Sequence, residues 1–495
     1  METYRNYIDG KWVDAEGGEV FESVNPADRR DVVGVVAKSS KADVDRAVEA
    51  ARSAYKTWRL VPAPKRGEIL FRAAEALVKH KQRLGELVTR EMGKVIAEGL
   101  GDVQEAIDMA YYMAGEGRRL AGETVPSELP DKDAKSFRVP IGVFALVTPW
   151  NFPTAIPAWK IFPAIMAGNT VVFKPSSLTA VCATELVRIL ADSGLPKGVV
   201  NLVNGPGGEV GEYLVSHPGI DGVSFTGSSA VGMKVARNCS LHGKEFSCEM
   251  GGKNAIIVMD DADIGLALSG VLWGAFGTTG QRCTAASRLI LHKDIHDAFV
   301  DRLVTMTKAL KLGDGLKAGT DVGPLVSDEQ LRKVQHYIQA GRSEGATLLL
   351  GGRHANHGDL AYGNFMEPTI FVDVRPAMRI AQEEIFGPVL SVLKARDFDD
   401  AIAIANGVNY GLSASIYTRD VNMSAQAEKE LDTGIVYINA STIGAEIQLP
   451  FGGMKRSGYG NKKEAGGRGG ALDLYTRWKV VYRDYSGRLQ RAQID

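Results

Sequence analysis

Cysteine is scarce in this chain of 495 residues: there are four, at positions 182, 239, 248 and 283. None belongs to a CxxC pair and none sits in a short Cys/His cluster, which argues against a disulfide framework and a structural zinc site. No metal is expected, and a reducing compartment, the cytoplasm, suits a protein that keeps its thiols free. An excess of one charge is also lacking, with 58 basic against 59 acidic residues and no block of like charge. Nucleic acid and anionic membranes therefore find nothing to bind, and a small molecule is the expected partner. The opening METYRNYIDGKWVD has no apolar core of the length a secretory leader needs. One charge-free run, Val139 to Trp159, is long enough to resemble a membrane span. Its prolines at 140, 149, 153 and 157 remove backbone donors and clash with preceding turns, so it reads as a buried strand followed by a proline-shaped loop. Absent too is the strand, GxGxxG, helix fingerprint of dinucleotide binding.

What the chain does have is 45% apolar residues over a length too great for one core, so two or three domains are expected. In KADVDRAVEAARSAYK, residues 41–56, Val44, Ala47, Val48 and Ala51 share one helical face, with Asp43 placed to cap. A second helix is expected from Arg66 to about Lys81. From Ile141 short β-branched runs (VFALVT, TVVF, VVNLV, VSF, AIIV) alternate with helical segments such as Leu178 to Ser193, which ends at Gly194 and Pro196. The alternation resumes after residue 285 with SRLILH, TLLL, TIFV, VLSVLK, SASIYT and GIVYI. Strand, helix, strand at this spacing predicts an α/β protein with parallel sheets in two units, whose ligands collect at strand C-terminal ends. The tail from Arg477 is too short for a domain, and its strand-like VVY needs a partner, which suggests oligomer contacts.

Four segments carry candidate chemistry. In GVLWGAFGTTGQRCTAAS, Cys283 has only small, apolar or hydroxylic neighbours apart from Arg282. It is either a small hydrophobe filling a gap or a nucleophile in need of help, since a free thiol titrates near 8.5. In FSCEMGGKNAIIV, Glu249 precedes a double glycine and an apolar strand. It either pairs with Lys253 or, desolvated, serves as a general base. In TPWNFPTAIPAWK, Asn151 is held between prolines, so its amide either satisfies its own turn or is presented as an oxyanion donor. Finally, VSFTGSSAVGMKVA reads as strand, Gly-Ser turn and helix start, and a helix N-terminus with free amides can take a pyrophosphate. None of the eight histidines has a protease-like context beside the cysteine.

Taken in order, PWNFP, AGNTVVFKP, GLPKGVVNLV, FTGS, EMGGKN, GQRC, EEIFGPV, NYGLSASIYT and PFGGMKRSG resemble the aldehyde dehydrogenase superfamily over essentially the whole chain. The resemblance implies a Rossmann-like cofactor domain (1–121 and 141–251), a second α/β catalytic domain (252–455) and a small bridging oligomerisation element (122–140 and 476–495). Dimers or tetramers are then expected. It also implies that Cys283 attacks the aldehyde carbon, that Asn151 and the Cys283 amide hold the oxyanion, and that Glu249 activates the water that hydrolyses the thioester. Lys160 matches a family position near the site. The cofactor, NADP or NAD, would be held by Lys174 at the adenosine ribose, Ser228 at the pyrophosphate, Trp150 beside the nicotinamide half, and Glu384 with Phe386 at the nicotinamide ribose. Ser176, Ser177, Gly207, Gly211, Phe225, Thr226, Gly227 and Gly251 complete that set. Ser177 stands where NAD-preferring relatives often carry glutamate, and a serine tolerates the 2′-phosphate of NADP that a carboxylate repels.

The segments NASTIGAEIQLPFGG and YRDYSGRLQRAQID resemble dehydrogenases of semialdehydes of the 2,5-dioxopentanoate (α-ketoglutarate semialdehyde) type, and Arg282, or Arg118 and Arg119, could receive a distal carboxylate. The stretch NKKEAGGRGGALDLYT departs from the family pattern in being longer and richer in glycine. Two alternatives to hydrolytic aldehyde oxidation are a CoA-acylating enzyme, whose kind typically lacks the glutamate present at 249, and a non-catalytic structural relative, which need not keep Asn151, Glu249, Cys283 and Glu384.

Overall fold

The computed structural model describes all residues except 1, 462, 463, 492 and 495; Lys462 and Lys463, in the glycine-rich departure, and Ala492 and Asp495 of the tail lie outside the described residues. Three main sheets organise the chain. The first has eight strands, in the order Gly458–Gly460, Glu245–Glu249, Gly222–Thr226, Val143–Val147, Thr170–Lys174, Val200–Leu202, Asn6–Ile8 and Lys11–Val13. Its five strands from Glu245–Glu249 to Val200–Leu202 run parallel, and antiparallel strands close both edges. The second has seven strands, ordered Thr347–Leu350, Thr369–Val372, Val389–Ala395, Ala286–His292, Asn254–Val258, Ser413–Tyr417 and Ile435–Ile438, all parallel but the first. The central strands are buried along their length and read as continuous apolar runs, as strands covered on both faces do. The third sheet pairs Thr476–Asp484 with Lys132–Pro140, which also pairs with Glu123–Pro126, all antiparallel.

The expected first helix spans Lys41–Trp58. Its N-cap is Ser40, and Asp43 works from the third position, accepting from the Ser40 amide at 2.8 Å. The second expected helix is longer than its periodicity suggested, Ala63–Met92, ending at Gly93 in the left-handed region. The proline-rich stretch is corrected in its second half. The strand Val143–Val147 is there, but after a short loop residues Ala155–Ala167 form a helix with Pro157 in its first turn and Pro163 inside it. A first-turn proline loses no intrahelical bond, because those amides have no partner in the helix anyway. Among the described residues, no helix is long and apolar enough to cross a membrane.

Candidate active site

The strand Gly222–Thr226 runs into Gly227 and Ser228, after which the helix Ser229–Leu241 begins. Ser228 caps it, its hydroxyl accepting from the Val231 amide at 3.4 Å. The residues that follow the neighbouring strands Val143–Val147 and Thr170–Lys174 meet it at the same sheet edge. Together they line a cleft of about 570 Å³ that holds Trp150, Lys174, Ser176, Ser177, Gly207, Gly211, Phe225, Thr226, Gly227 and Ser228. Lys174 is buried, its ammonium donates among the described residues only to the Pro175 carbonyl at 2.7 Å, and burial lowers its pKa to about 8. The Ser177 hydroxyl donates to the Gly205 carbonyl at 2.8 Å.

Pro149, Trp150, Thr226, Gly227 and Ser228 also line a second, smaller cavity of about 170 Å³, so the two adjoin. The smaller one adds Asn151, Gly251, Cys283, Glu384 and Phe386. Trp150 and Phe386 meet edge to face with ring centres 5.3 Å apart. Asn151 is buried and its side-chain oxygen has no partner among the described residues. Glu384 accepts from the Gly252 amide at 3.0 Å, and burial raises its pKa against the pull of Lys333 and Lys253. The double glycine is required by this close approach: a Cβ at Gly251 would lie 2.1 Å from the Glu384 carboxylate, and one at Gly252 would lie 2.8 Å from the Cys283 carbonyl.

Cys283 follows a turn in which Thr278 and Thr279 adopt positive φ of 51° and 58°. Burial first, then the charges of Glu384, Glu249 and Glu464, push its thiol up to about 12. The thiol is therefore protonated at neutral pH until a base or a bound cation intervenes. Glu249, the last residue of its strand, is buried and accepts from the Gly453 amide at 3.1 Å. It lines neither cavity, but its charge reaches Cys283. Lys253 is not its salt-bridge partner: the Lys253 ammonium is buried with no hydrogen bond among the described residues.

Lys160 also lies outside both cavities. It donates to the Ser224 hydroxyl at 2.7 Å and forms a buried ion pair with Glu464, which in turn accepts from Thr226 at 2.8 Å. Cys248, beside Glu249, is fully buried, and its thiol is pushed up to about 12 by burial. Sequence reasoning missed Glu464, Gln330 and Lys333, of which the last two line the smaller cavity. The signals were present: Gln330 and Lys333 share a face of the amphipathic helix Asp328–Ser343, and Glu464 is a lone carboxylate between two lysines and a run of small residues.

The residues present fit a dinucleotide. The cleft is lined at a helix N-terminus with a glycine before it, where backbone amides and the helix dipole favour phosphate. A buried lysine with spare donors lines it too, and Asn151, whose side-chain oxygen has no partner among the described residues, shares the adjoining cavity with the Cys283 thiol. Fold and cleft are those of a dinucleotide-dependent oxidoreductase.

The model of the aldehyde dehydrogenase family matches residues 12–481, and the chain belongs to that family. It is 43% identical over 482 residues to an alpha-ketoglutaric semialdehyde dehydrogenase of Bacillus subtilis, covering 97% of this chain and 98% of that protein. It is 44% identical over 481 residues to an alpha-ketoglutarate semialdehyde dehydrogenase of Haloferax volcanii, covering 97% and 99%. Among solved structures, a betaine aldehyde dehydrogenase of Staphylococcus aureus in complex with NAD+ superposes with a TM-score of 0.95 at 34% identity, covering 98% of this chain and 96% of that one. The protein is an NAD(P)-dependent aldehyde dehydrogenase, which oxidises an aldehyde to the carboxylic acid.

Proposed function

We propose that this enzyme oxidises a semialdehyde of the 2,5-dioxopentanoate type, with Cys283 as nucleophile, Asn151 as oxyanion donor and Glu249 as the base for water. The observation that carries the roles is that Cys283 and Asn151 line one cavity, adjoining the cleft of Lys174 and Ser228. Cys283 adds to the aldehyde carbon, and its proton leaves to a base. The negative oxygen that results is held by the Asn151 side-chain amide and the Cys283 backbone amide, and one such donor is worth about 2.7 to 4 kcal/mol of barrier. The bound cofactor supplies the hydride acceptor. Lys174, Ser176, Ser177, Gly207, Gly211 and Phe225 orient its adenosine half; Trp150, Thr226, Gly227, Ser228, Gly251, Glu384 and Phe386 orient the rest. Hydride loss leaves a thioester on Cys283, which water, deprotonated by Glu249, hydrolyses to the acid and the free thiol. Lys160 supports the site through its buried pair with Glu464.

Relatives named for α-ketoglutarate semialdehyde, at 43% and 44% identity, support the substrate class. NADP serves at least as well as NAD, because position 177 of the cleft, which Glu212 also lines, carries a hydroxyl and not a carboxylate. The three sheets support a division into a cofactor domain (1–121 and 141–251), a catalytic domain (252–455) and an oligomerisation element (122–140 and 476–495), with Gly458–Gly460 added to the first sheet. Trp478, Val480 and Tyr482 alternate along one exposed strand face, which supports a dimer or tetramer built through it. Four free thiols support a cytoplasmic location.

The test compares kcat/KM for 2,5-dioxopentanoate, succinic semialdehyde, acetaldehyde and benzaldehyde with each cofactor. The reading expects 2,5-dioxopentanoate to lead with NADP no worse than NAD. A preference for NAD of about a hundredfold would overturn the cofactor reading, and equal rates on all aldehydes the substrate reading.

A further inference from the structure

The segment that carries Asn151, residues 148–154, joins the strand Val143–Val147 to the helix Ala155–Ala167. That helix receives no cap bond from the side chain of its own N-cap residue, Thr154. Its opening amides are met from another helix instead. One oxygen of the Asp102 carboxylate accepts from the Thr154 amide at 3.2 Å and from the Ala155 amide at 2.7 Å. The other oxygen accepts from the Lys94 ammonium at 3.1 Å, and neither side chain of this pair reaches solvent. The same ammonium lies 3.7 Å from the centre of the Phe152 ring. Phe152 follows Asn151 directly, so the buried pair grips the segment at residues 152, 154 and 155.

Asp102 lies on the helix Ile96–Glu116, and Glu98 stands one turn before it on the same face. Glu98 accepts from the Thr278 amide at 2.9 Å and from Arg282 at 2.9 Å, in the turn that leads to Cys283. Arg282 in turn lies 5.5 Å from the Phe152 ring centre. Through two carboxylates on one face, a single helix therefore holds both the segment bearing Asn151 and the turn bearing Cys283. An oxyanion donor acts only at hydrogen-bond distance from the oxygen that becomes negative, so the spacing of these two segments sets its effect. Neither Asp102 nor Lys94 lines either cavity. Their influence on the reaction passes through the residues they hold.

We propose that Asp102, locked to Lys94, is a positioning residue that fixes the Asn151 amide against the Cys283 turn, so that the oxyanion forms within its reach. This rests on the reading of Asn151 as oxyanion donor given above.

The experiment replaces the buried pair by apolar side chains of similar size, Lys94→Met with Asp102→Leu, because removing one partner alone strands a buried charge. The rate of first-turnover NAD reduction with pentanal, an unsubstituted aldehyde, is measured with Asn151 intact and in an Asn151→Ala background. With Asn151 intact, the leucine pair should slow hydride transfer about ten- to a hundredfold, up to the scale of one lost oxyanion donor. In the Asn151→Ala background the same pair should change the rate less than about twofold, since the group it positions is gone. Alkylation of Cys283 by iodoacetamide forms no oxyanion and should keep its wild-type rate. Lys94→Met with Asp102→Asn, which retains an accepting oxygen, should recover most of the loss. Equal losses in both backgrounds, alkylation slowed as much as hydride transfer, or a leucine pair as fast as wild type would each overturn the positioning role. Should the leucine pair not fold, Lys94→Met with Asp102→Ala takes its place in the same comparison. Asn151→Ala at the wild-type rate would instead overturn the oxyanion reading itself.

Discussion

Arg282 donates to the Glu98 carboxylate at 2.9 Å, and that same carboxylate accepts from the Thr278 amide at 2.9 and 3.0 Å with its two oxygens. The arginine beside the nucleophile thus braces the turn that presents it. Thr278 and Thr279 sit in the left-handed region, where each non-glycine residue costs about 1–3 kcal/mol and persists only if its surroundings hold it. The guanidinium also donates to the Thr278 hydroxyl at 2.8 Å.

Arg282→Ala should therefore lower kcat/KM for pentanal and for 2,5-dioxopentanoate alike, by about ten- to a hundredfold, the range of a charge-assisted bond of 1.5–3 kcal/mol. Glu98→Ala should do the same, and the double variant should be no worse than the poorer single one. A loss confined to the acidic substrate would instead make Arg282 its carboxylate receptor.

The pKa of the Cys283 thiol in the free enzyme, raised to about 12, sets its reactivity. Below that pH the thiolate fraction grows about tenfold per pH unit, so alkylation by iodoacetamide should accelerate without a plateau up to about pH 9. Glu384→Gln removes one of the charges that raise it and should speed alkylation at about pH 8. A plateau near neutral pH, with Cys283→Ala as the blank, would show a thiolate already formed.

Lys253 is buried with no hydrogen-bond partner for its amine among the described residues, and burial lowers its pKa to about 7. The unfolded chain holds that proton up to about pH 10.4, so stability is lost as pH falls from there toward the folded value. Lys253→Met removes this penalty. Its thermal midpoint should exceed wild type by more at about pH 7 than at about pH 10. A lower midpoint at both would show that the ammonium has a stabilising role.

On the exposed strand face, Val480→Glu combined with Tyr482→Glu places two like charges on the strip. Light scattering should report a smaller assembly than wild type, since charge depletes the core of stable interfaces. An unchanged mass would move the interface elsewhere.

How much of this was legible follows from sequence separation. Cys283, Asn151, Ser228 and Glu384 stand in short segments whose local geometry their own residues set: a glycine turn, flanking prolines, a strand running into a helix. These were readable, and they line the paired cavities. Lys160 and Glu464 are 304 positions apart, and Arg282 and Glu98 are 184 apart, so only the fold brings each pair together. The Ala155–Ala167 helix was missed because proline was weighed as a breaker without asking where in a turn it would fall. The N-terminal strands Asn6–Ile8 and Lys11–Val13 are too short to show periodicity, and pair across the edge of a sheet formed by residues far along the chain.

The measurement that tests the central claim most directly mixes Glu249→Gln with 2,5-dioxopentanoate and NADP, and follows cofactor reduction and the intact mass of the quenched protein. With the nucleophile intact and water activation removed, the account predicts a burst of about one reduced cofactor per subunit, then near arrest, with an acyl group on Cys283. No burst and no adduct, or steady turnover at the wild-type rate, would contradict it.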